Sequence, residues 1–237
     1  MIEEYSTEKN IQEVLENIKR AALKSGRNPD DIKLIAVTKN FDESRIIEAI
    51  NAGIKDLGEN RVQELLGKYD NIDKECNWHL IGHLQTNKVK YIIDKVAMIH
   101  SLDSMELAEE IQKRAQKAGR VMDVLVQVNV AQEESKFGIS INDTEAFIRK
   151  LTVLPNIKVK GLMTIAPYCD NPEEIRYVFR DLYKKFIDIK KENIDNINMA
   201  FLSMGMSNDY ETAIEEGANI VRVGTAIFGK RVYLQEK

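Results

Sequence analysis

One lysine stands at a position where its amine could do chemistry. The apolar run Leu34–Val37 is followed by Thr38 and Lys39. If this run is a strand of an α/β barrel, its carboxyl end opens at the barrel mouth, where active groups collect. Partial removal from water lowers the pKa of a lysine amine and makes it a nucleophile toward aldehydes. Lys39 is therefore the best Schiff-base candidate, although a solvated lysine at a strand end gives the same pattern.

Two turns rich in small residues end two later apolar runs. The segment Ser203–Asp209 opens a helical pattern, and Val221–Thr225 contains Gly224 and Thr225. Backbone N–H groups in such turns cradle anions, and the loops after the last two strands of a barrel commonly bind phosphate. A phosphate site facing a lysine fits a phosphorylated aldehyde such as pyridoxal 5'-phosphate (PLP). A phosphosugar that forms a lysine imine fits almost as well.

Two further polar residues each allow two interpretations. Arg222 lies inside an apolar run, where a guanidinium needs a partner, so it forms either a structural salt bridge or a ligand contact. Asn60 follows another run and either donates to a ring substituent or caps a helix that starts near Val62. The residues alone leave both choices open.

The histidines and cysteines give no metal pattern. His79 and His83 are four residues apart, but the intervening sequence resembles a strand end, whereas this zinc spacing requires a helix. We interpret them as core or loop histidines and propose no metal. Cys76 and Cys169 are expected to be free thiols in a cytosolic protein.

The elements that must position these residues alternate along the chain. Short β-branched runs are separated by longer segments with apolar residues three and four apart, as in repeated βα units. Nearly continuous apolar runs are typical of parallel strands that are covered on both faces. Eight strands are predicted, at Ile32–Lys39, Asp56–Asn60, Trp78–Gly82, Met98–Asp103, Val124–Val130, Val159–Ile165, Met199–Met204 and Ile220–Phe228.

This pattern favours an α/β fold with a single (β/α)8 TIM barrel over an open doubly wound sheet. The eight predicted strands follow one another at similar spacing, and the composition of the chain shows no break. We expect one domain, residues 1–237. An extra helix is predicted from about Thr7 to Ser25, before the first strand. Only Lys230–Lys237 follow the last strand, so the leading helix is expected to cover the place of a closing helix.

Composition excludes several classes of protein. The 237 residues are 43% hydrophobic and 30% charged, the balance of a globular chain. Thirty-eight acidic residues are interspersed with 34 basic ones, so there is no basic field for nucleic acid. The acidic start Met1–Tyr5 and the lack of a long apolar stretch disfavour a signal peptide or a membrane span. We expect a cytoplasmic protein.

Five motifs occur in the order known from one family, and the chain resembles the PLP homeostasis protein family, which is related to the N-terminal domain of alanine racemase. The combination is far more specific than any one motif, and it extends from the first strand to the last. The motifs are Ala36-Val37-Thr38-Lys39, Gly58-Glu59-Asn60, Trp78-His79-Leu80-Ile81-Gly82-His83-Leu84-Gln85, Ser203–Ser207, and Arg222-Val223-Gly224-Thr225-Ala226-Ile227-Phe228-Gly229.

The resemblance implies roles for particular residues. PLP is expected on Lys39 as a Schiff base, with Asn60 near the ring. Arg222 is expected near the pyridine nitrogen, where a permanent cation disfavours protonation. Arg61 departs from the family, which often has an aromatic residue there, so packing beside Asn60 is less defined. Phosphate contacts carry over to Ser203, Gly205, Ser207, Gly224 and Thr225.

Three functions fit this sequence. The resemblance implies a PLP-binding protein of intracellular PLP homeostasis, without efficient catalysis, that is a monomer and serves apo PLP-dependent enzymes. A PLP-dependent amino-acid racemase needs an acid and a base on opposite faces of the substrate. Lys39 serves one face, and Tyr168 or Tyr210 is the candidate for the other. A lysine-imine phosphosugar lyase shares the barrel but is not yellow.

Overall fold

The computed structural model describes residues 6–133 and 136–229 and shows a closed barrel of eight parallel strands. The predicted TIM barrel is therefore confirmed. The barrel strands are β1 (Lys33–Val37), β2 (Asp56–Glu59), β3 (Asn77–Leu80), β4 (Val96–Leu102), β5 (Met122–Asn129), β7 (Ile157–Met163), β8 (Ile197–Ser203) and β9 (Ile220–Val223), and a short strand β6 (Ile139–Ser140) pairs with β5 outside the ring.

The helices lie around the strands as the apolar periodicity requires, each burying one stripe against the barrel. Ser104 caps the helix after β4 by accepting the Leu107 N–H at 3.2 Å. The helices are α1 (Thr7–Lys24), α2 (Glu43–Asn51), α3 (Val62–Tyr69), α4 (Met105–Lys117), α5 (Thr144–Leu151), α6 (Arg176–Lys191), α7 (Tyr210–Glu215) and α8 (Thr225–Phe228). Of the helices within the described ranges, none combines the length and apolar character needed to cross a bilayer.

The predicted extra helix is present as α1 and packs over the seam where β9 meets β1. Its buried stripe includes Ile11, Val14 and Ile18. Its polar face bonds to the last elements: Asn10 Nδ2 donates to the Ile227 carbonyl at 2.9 Å and Lys24 pairs with Glu215 at 2.6 Å. Residues 230–237, which follow α8 in the sequence, lie outside the described residues.

One predicted strand is too long. The interpretation of Ile220–Phe228 as a single strand is wrong, because β9 ends at Val223 and Thr225–Phe228 forms the one-turn helix α8. The apolar run Ala226–Phe228 resembles a strand in composition. However, the N–H groups of Ile227 and Phe228 both bond to the Gly224 carbonyl at 2.9 Å, which turns the chain at that glycine.

The barrel interior has an apolar side and a polar side. Met98, Leu125 and Met163 pack together as an apolar cluster separate from the layer between strands and helices. The other side contains His79, His100, Ser203 and Arg222, all buried. Buried polar groups are costly without hydrogen bonds, so these four side chains must satisfy one another.

Gly161 sits at an irregularity where β7 shifts register against both β5 and β8. Its φ is +150°, and a Cβ there would lie 1.7 Å from the Phe201 carbonyl oxygen. Because that neighbour is backbone, we expect Gly161→Ala to lower the free energy of unfolding by about 3 kcal/mol. Urea unfolding, followed by the fluorescence of the single tryptophan, Trp78, measures this.

Gly67 in α3 provides the matched control, because a Cβ at that position meets nothing within 4 Å. Gly67→Ala should leave stability unchanged or raise it by up to about 1 kcal/mol, the helix preference for alanine. Equal effects of the two substitutions would show that the close approach at Gly161 is unimportant.

Candidate functional site

A cavity of about 320 Å³ opens at the carboxyl ends of the strands, on the side of β1, β7, β8 and β9. This is the end of the barrel at which sequence reasoning placed the site. Five of the eight predicted site residues line it, namely Lys39, Ser207, Arg222, Gly224 and Thr225, together with Val37, Lys136, Ile165, Ala166, Pro167, Tyr168, Cys169, Met206, Asn208 and Asp209.

Lys39 is half-buried and follows the carboxyl end of β1 by two residues. Thr38 before it is fully buried, its N–H donates to the Gly58 carbonyl at 3.0 Å, and its hydroxyl donates to Glu59 Oε1 at 2.6 Å. Asn40 after it has a φ of +63°, and its N–H donates to Glu64 at 2.9 Å. The backbone on both sides of Lys39 is therefore fixed.

A buried ion pair supports this segment from below. Lys68 Nζ donates to Glu59 Oε1 at 2.6 Å and to the Thr38 carbonyl at 2.7 Å. Burial raises the pKa of Glu59, although hydrogen bonds from Lys68 and Thr38 oppose that effect. Glu59 Oε2 is buried without a hydrogen-bond partner among the described residues. Loss of Lys68 would therefore leave a carboxylate unpaired in the core.

At the predicted anion site, two backbone N–H groups point toward the hydroxyl of Ser207. Ser207 Oγ accepts the N–H groups of Gly224 at 3.2 Å and Ala226 at 3.3 Å. A Cβ at Gly224 would approach Val37 to 3.2 Å, so glycine lets β9 lie close to β1 here. Thr225 is exposed at the cavity with its hydroxyl as a further donor.

Gly205 shapes the turn after β8 without lining the cavity. Its φ is +92°, and a Cβ would lie 2.7 Å from that of Ala213, so a side chain would push the turn away from α7. Its carbonyl accepts the Arg222 N–H at 3.0 Å. Asp209 closes the same turn by accepting the Met206 N–H. Gly205 therefore holds the turn, whereas Ser207 and Gly224 face the cavity.

Arg222 is 3% exposed and lines the cavity floor. Its Nη1 donates to Ser203 Oγ at 2.6 Å and its Nη2 to the Thr164 carbonyl at 2.8 Å. Burial lowers its pKa to about 10, partly offset by Asp209, so it stays charged at neutral pH. Because both bonded partners are neutral, the positive charge remains available to an acceptor in the cavity, which favours the ligand interpretation over a salt bridge.

Ser203 and Asn60 lie elsewhere. Ser203 is fully buried beneath the cavity, and its hydroxyl contacts Arg222 and His100. Asn60 is half-buried after β2, and it is Arg61 that occupies the N-cap position of α3, without a side-chain cap bond. The capping interpretation of Asn60 is therefore wrong. The predicted contacts of Ser203 and Asn60 with a cofactor stay predictions.

Sequence reasoning missed Lys136 at the cavity, whereas it had named Tyr168 and Tyr210 as candidates for the face opposite Lys39. Lys136 reaches the cavity from the loop after β5, where Asn129 Nδ2 donates to the Lys136 carbonyl at 3.3 Å. Tyr168 lines it and is 78% exposed. Tyr210, by contrast, is buried on α7, where its hydroxyl accepts from Asn17 at 3.0 Å. Of the two tyrosines named from the sequence, Tyr168 therefore lines the cavity and Tyr210 does not.

Asp56 lies at the opposite end of the barrel and was also missed. His79 Nε2 lies 3.0 Å from Asp56 Oδ1, and Lys33 Nζ donates to the same carboxylate at 3.1 Å. Burial alone would raise the pKa of Asp56, but the hydrogen bonds and charges of His79 and Lys33 outweigh it and lower the pKa to about 2. The carboxylate is therefore ionised throughout the physiological range.

This lowered pKa predicts an acid-sensitive stability. Because the folded pKa of about 2 lies below the ordinary 3.8, the stabilisation is complete above 3.8 and is lost as pH falls toward 2. The difference between the folded and the ordinary pKa of Asp56 corresponds to about 2 kcal/mol of folding free energy. Between pH 5 and pH 2.5, the wild type should lose correspondingly more stability than Asp56→Asn in urea unfolding. Parallel losses in the two proteins would contradict this.

Comparison with known proteins gives sequence relatives that match over nearly the full length of this chain. The model of the alanine racemase N-terminal domain matches residues 10–232. The pyridoxal phosphate homeostasis protein of Aquifex aeolicus is 49% identical over 224 residues, covering 94% of this chain and 97% of that protein. The protein of the same name from Pseudomonas aeruginosa is 37% identical, covering 94% and 95%.

A solved structure agrees with these relatives. PipY of Synechococcus elongatus PCC7942, determined with PLP bound, has a TM-score of 0.78 and 33% identity, and the match covers 90% of this chain and 100% of that one. The shared barrel and the near-complete coverage show that the likeness extends over the whole architecture. The chain belongs to the pyridoxal phosphate homeostasis protein family, within the group defined by the N-terminal domain of alanine racemase.

Proposed function

We propose that this chain binds PLP through Lys39 and takes part in intracellular PLP homeostasis without efficient catalysis. The observation that supports it is a single cavity that brings together Lys39, the buried cation Arg222, and the hydroxyl and N–H groups of Ser207 and Gly224. A phosphorylated aldehyde offers a partner for each. The relatives named pyridoxal phosphate homeostasis protein, and PipY with PLP bound, support the same ligand.

The residues present fit this cofactor. When bound, PLP would supply an aldehyde that forms an imine with a lysine amine, and Lys39, whose flanking backbone is held by hydrogen bonds, is our candidate for that lysine. Ser207, Thr225 and the N–H groups beside Gly224 would hold the phosphate, at the position that barrels commonly use. Arg222 would hold a positive charge against the ring and disfavour a proton on its nitrogen.

A permanent cation at that place supports the non-catalytic part of the proposal, because an unprotonated ring withdraws electrons less well. Racemisation also needs a second acid or base opposite Lys39. Tyr168 is the candidate, but its hydroxyl donates to Asp170 at 3.1 Å, and that bond raises its pKa. Tyr168 is therefore protonated at neutral pH and could act only as an acid until it loses that proton.

Absorbance with added PLP tests the proposed ligand. The purified protein should develop an imine band in the near ultraviolet or visible range, and borohydride should fix the pyridoxyl group on the peptide that contains Lys39. Absence of a band at saturating PLP would overturn the proposal and favour the phosphosugar lyase, which trapping with a phosphosugar and borohydride would detect. Racemase activity is measured by the deuterium exchange of alanine.

The remaining expectations are part of the proposal. We propose that residues 1–237 act as one domain, as a monomer in the cytoplasm, and that the protein passes PLP to apo PLP-dependent enzymes. Native mass spectrometry reads the oligomeric state directly. Transfer is tested by mixing the PLP-loaded protein with an apo enzyme and comparing the rate of reactivation with that given by free PLP at equal concentration.

A further inference from the structure

A row of hydrogen-bonded side chains crosses the barrel interior from its base to the cavity. His79 Nε2 is 3.0 Å from Asp56 Oδ1, and His79 Nδ1 is 3.0 Å from His100 Nε2. His100 Nδ1 is 3.2 Å from Ser203 Oγ, which accepts from Arg222 Nη1 at 2.6 Å. The row starts on β2, passes through β3 and β4, and crosses to β8 and β9.

The proton positions in this row are determined by its two ends. Ionised Asp56 only accepts, so His79 Nε2 carries a proton. Arg222 only donates, so Ser203 receives a hydrogen bond from that side. Burial, followed by the charges of Arg222 and Lys33, lowers the pKa of His100 well below its ordinary value, so His100 is neutral and carries one ring proton.

One arrangement makes every observed contact with a single proton on each histidine ring. Ser203 donates its hydroxyl proton to His100 Nδ1, His100 Nε2–H donates to His79 Nδ1, and His79 Nε2–H donates to Asp56. All hydrogen bonds then run in one direction, from the arginine to the carboxylate. The reverse arrangement needs a second proton on His79, and Ser203 would then accept from both neighbours and turn its own proton away.

We propose that His79, His100 and Ser203 are positioning residues that hold Arg222 in the orientation required for the bound cofactor, with Asp56 fixing the direction of the row. This inference rests on the proposed function, because Arg222 lines the cavity proposed for PLP. Ser203 then acts beneath the cofactor, through Arg222. Through this row, Asp56 at the base of the barrel affects the orientation of Arg222 at the cavity.

Among the described residues, other charges act on this row at its two ends. Lys33 on β1 and Asn77 on β3 contact Asp56 at the base, at 3.1 Å and 3.2 Å. At the cavity end, Asp209 acts on Arg222 through its charge. The opposite side of the interior is the apolar cluster described above, which contains Met98. His79 is 3% exposed and His100 is fully buried, so water does not compete for their ring nitrogens.

The protons can be observed directly by long-range ¹H–¹⁵N NMR of the histidine rings in the PLP-free protein. The chain has three histidines, so His79→Gln, His83→Gln and His100→Gln assign all the signals. Half-exposed His83 serves as the internal reference. We expect His79 and His100 both to carry the proton on Nε2 from pH 6 to pH 8. A proton on His100 Nδ1 in that range would overturn the proposed direction.

Substitutions at His100 test the positioning role. Glutamine can still donate toward His79 and accept from Ser203, whereas leucine of similar size cannot. We expect His100→Leu to raise the Kd for PLP about tenfold and to shift the imine band, with His100→Gln close to wild type. Thermal melting of the PLP-free proteins separates misfolding from loss of positioning, because a misfolded variant has no cooperative transition.

If His100→Leu does not fold, Ser203→Ala provides the second variant, because it deletes one oxygen and leaves the histidines in place. It should weaken PLP binding to a similar degree. Unchanged Kd and band in the folded variants would overturn the positioning role while leaving PLP binding intact. A wild type without any PLP band would instead contradict the proposed function, and the NMR result would still decide the direction of the row.

Discussion

Lys39→Ala is expected to abolish the imine band of the PLP-treated protein and to raise the Kd for PLP at least about a hundredfold. The reason is that the substitution removes the amine that bonds to the aldehyde, whereas the phosphate-facing groups at Ser207 and Gly224 stay in place. Absorbance titration gives both quantities, and borohydride reduction followed by peptide mass mapping shows whether any lysine carries the pyridoxyl group.

Lys136→Ala is the control for this experiment, because Lys136 is the other lysine that lines the cavity. Its loss removes a positive charge but leaves Lys39 and the backbone around it unchanged. We expect a band of wild-type position and a Kd altered by only a few-fold. A band that persists in Lys39→Ala and disappears in Lys136→Ala would reassign the covalent bond to Lys136.

Lys68→Met should lower the free energy of unfolding by about 3 to 5 kcal/mol at pH 7, the cost of leaving a buried carboxylate without its partner. Glu59 is fully buried, and Lys68 is the cation that contacts it, at 2.6 Å. The same substitution removes the hydrogen bond to the Thr38 carbonyl and so loosens the segment before Lys39. Urea unfolding and PLP affinity are the two measurements.

The double variant Glu59→Gln/Lys68→Met separates charge from packing. With the carboxylate neutral, most of the lost stability should return, since no unpaired charge remains. The deficit of the single variant should also shrink as pH falls from 7 toward 5. A carboxyl group with a raised pKa takes up its proton more readily in the folded state, so acid favours folding. A double variant as unstable as the single one would indicate a packing defect.

The sequence was sufficient for the barrel and for part of the site because both depend on local patterns. Apolar runs of strand length, separated by helical stripes, predict βα units, and parallel strands bring their carboxyl ends to one rim. Lys39, Arg222 and Thr225 therefore could be placed at one cavity although they lie far apart in the chain. The one-turn helix α8 was missed because its apolar residues have strand composition, and a glycine carbonyl decides its conformation.

The row from Asp56 to Arg222 could not be predicted, because its members belong to five different strands and, apart from Arg222, none is unusual by itself. His79 and His100 become partners only when β3 and β4 align in register, and Ser203 reaches His100 only across the closed barrel. A carboxylate such as Asp56 at a strand start has the same local pattern as any solvated aspartate. These contacts depend on closure of the barrel, which the periodicity of the sequence does not specify residue by residue.

The helix α1 over the β9–β1 seam has a consequence for the order of events during synthesis. The first described helix is held by residues such as Ile227 and Glu215 that the ribosome adds about 200 positions later. Until then β1 pairs with β2 but lacks its other neighbour, β9, and the turn that carries Gly224 has not yet been synthesised. Because Arg222, Gly224 and Thr225 line the ligand cavity, the cavity is complete only after the last described strand has been synthesised.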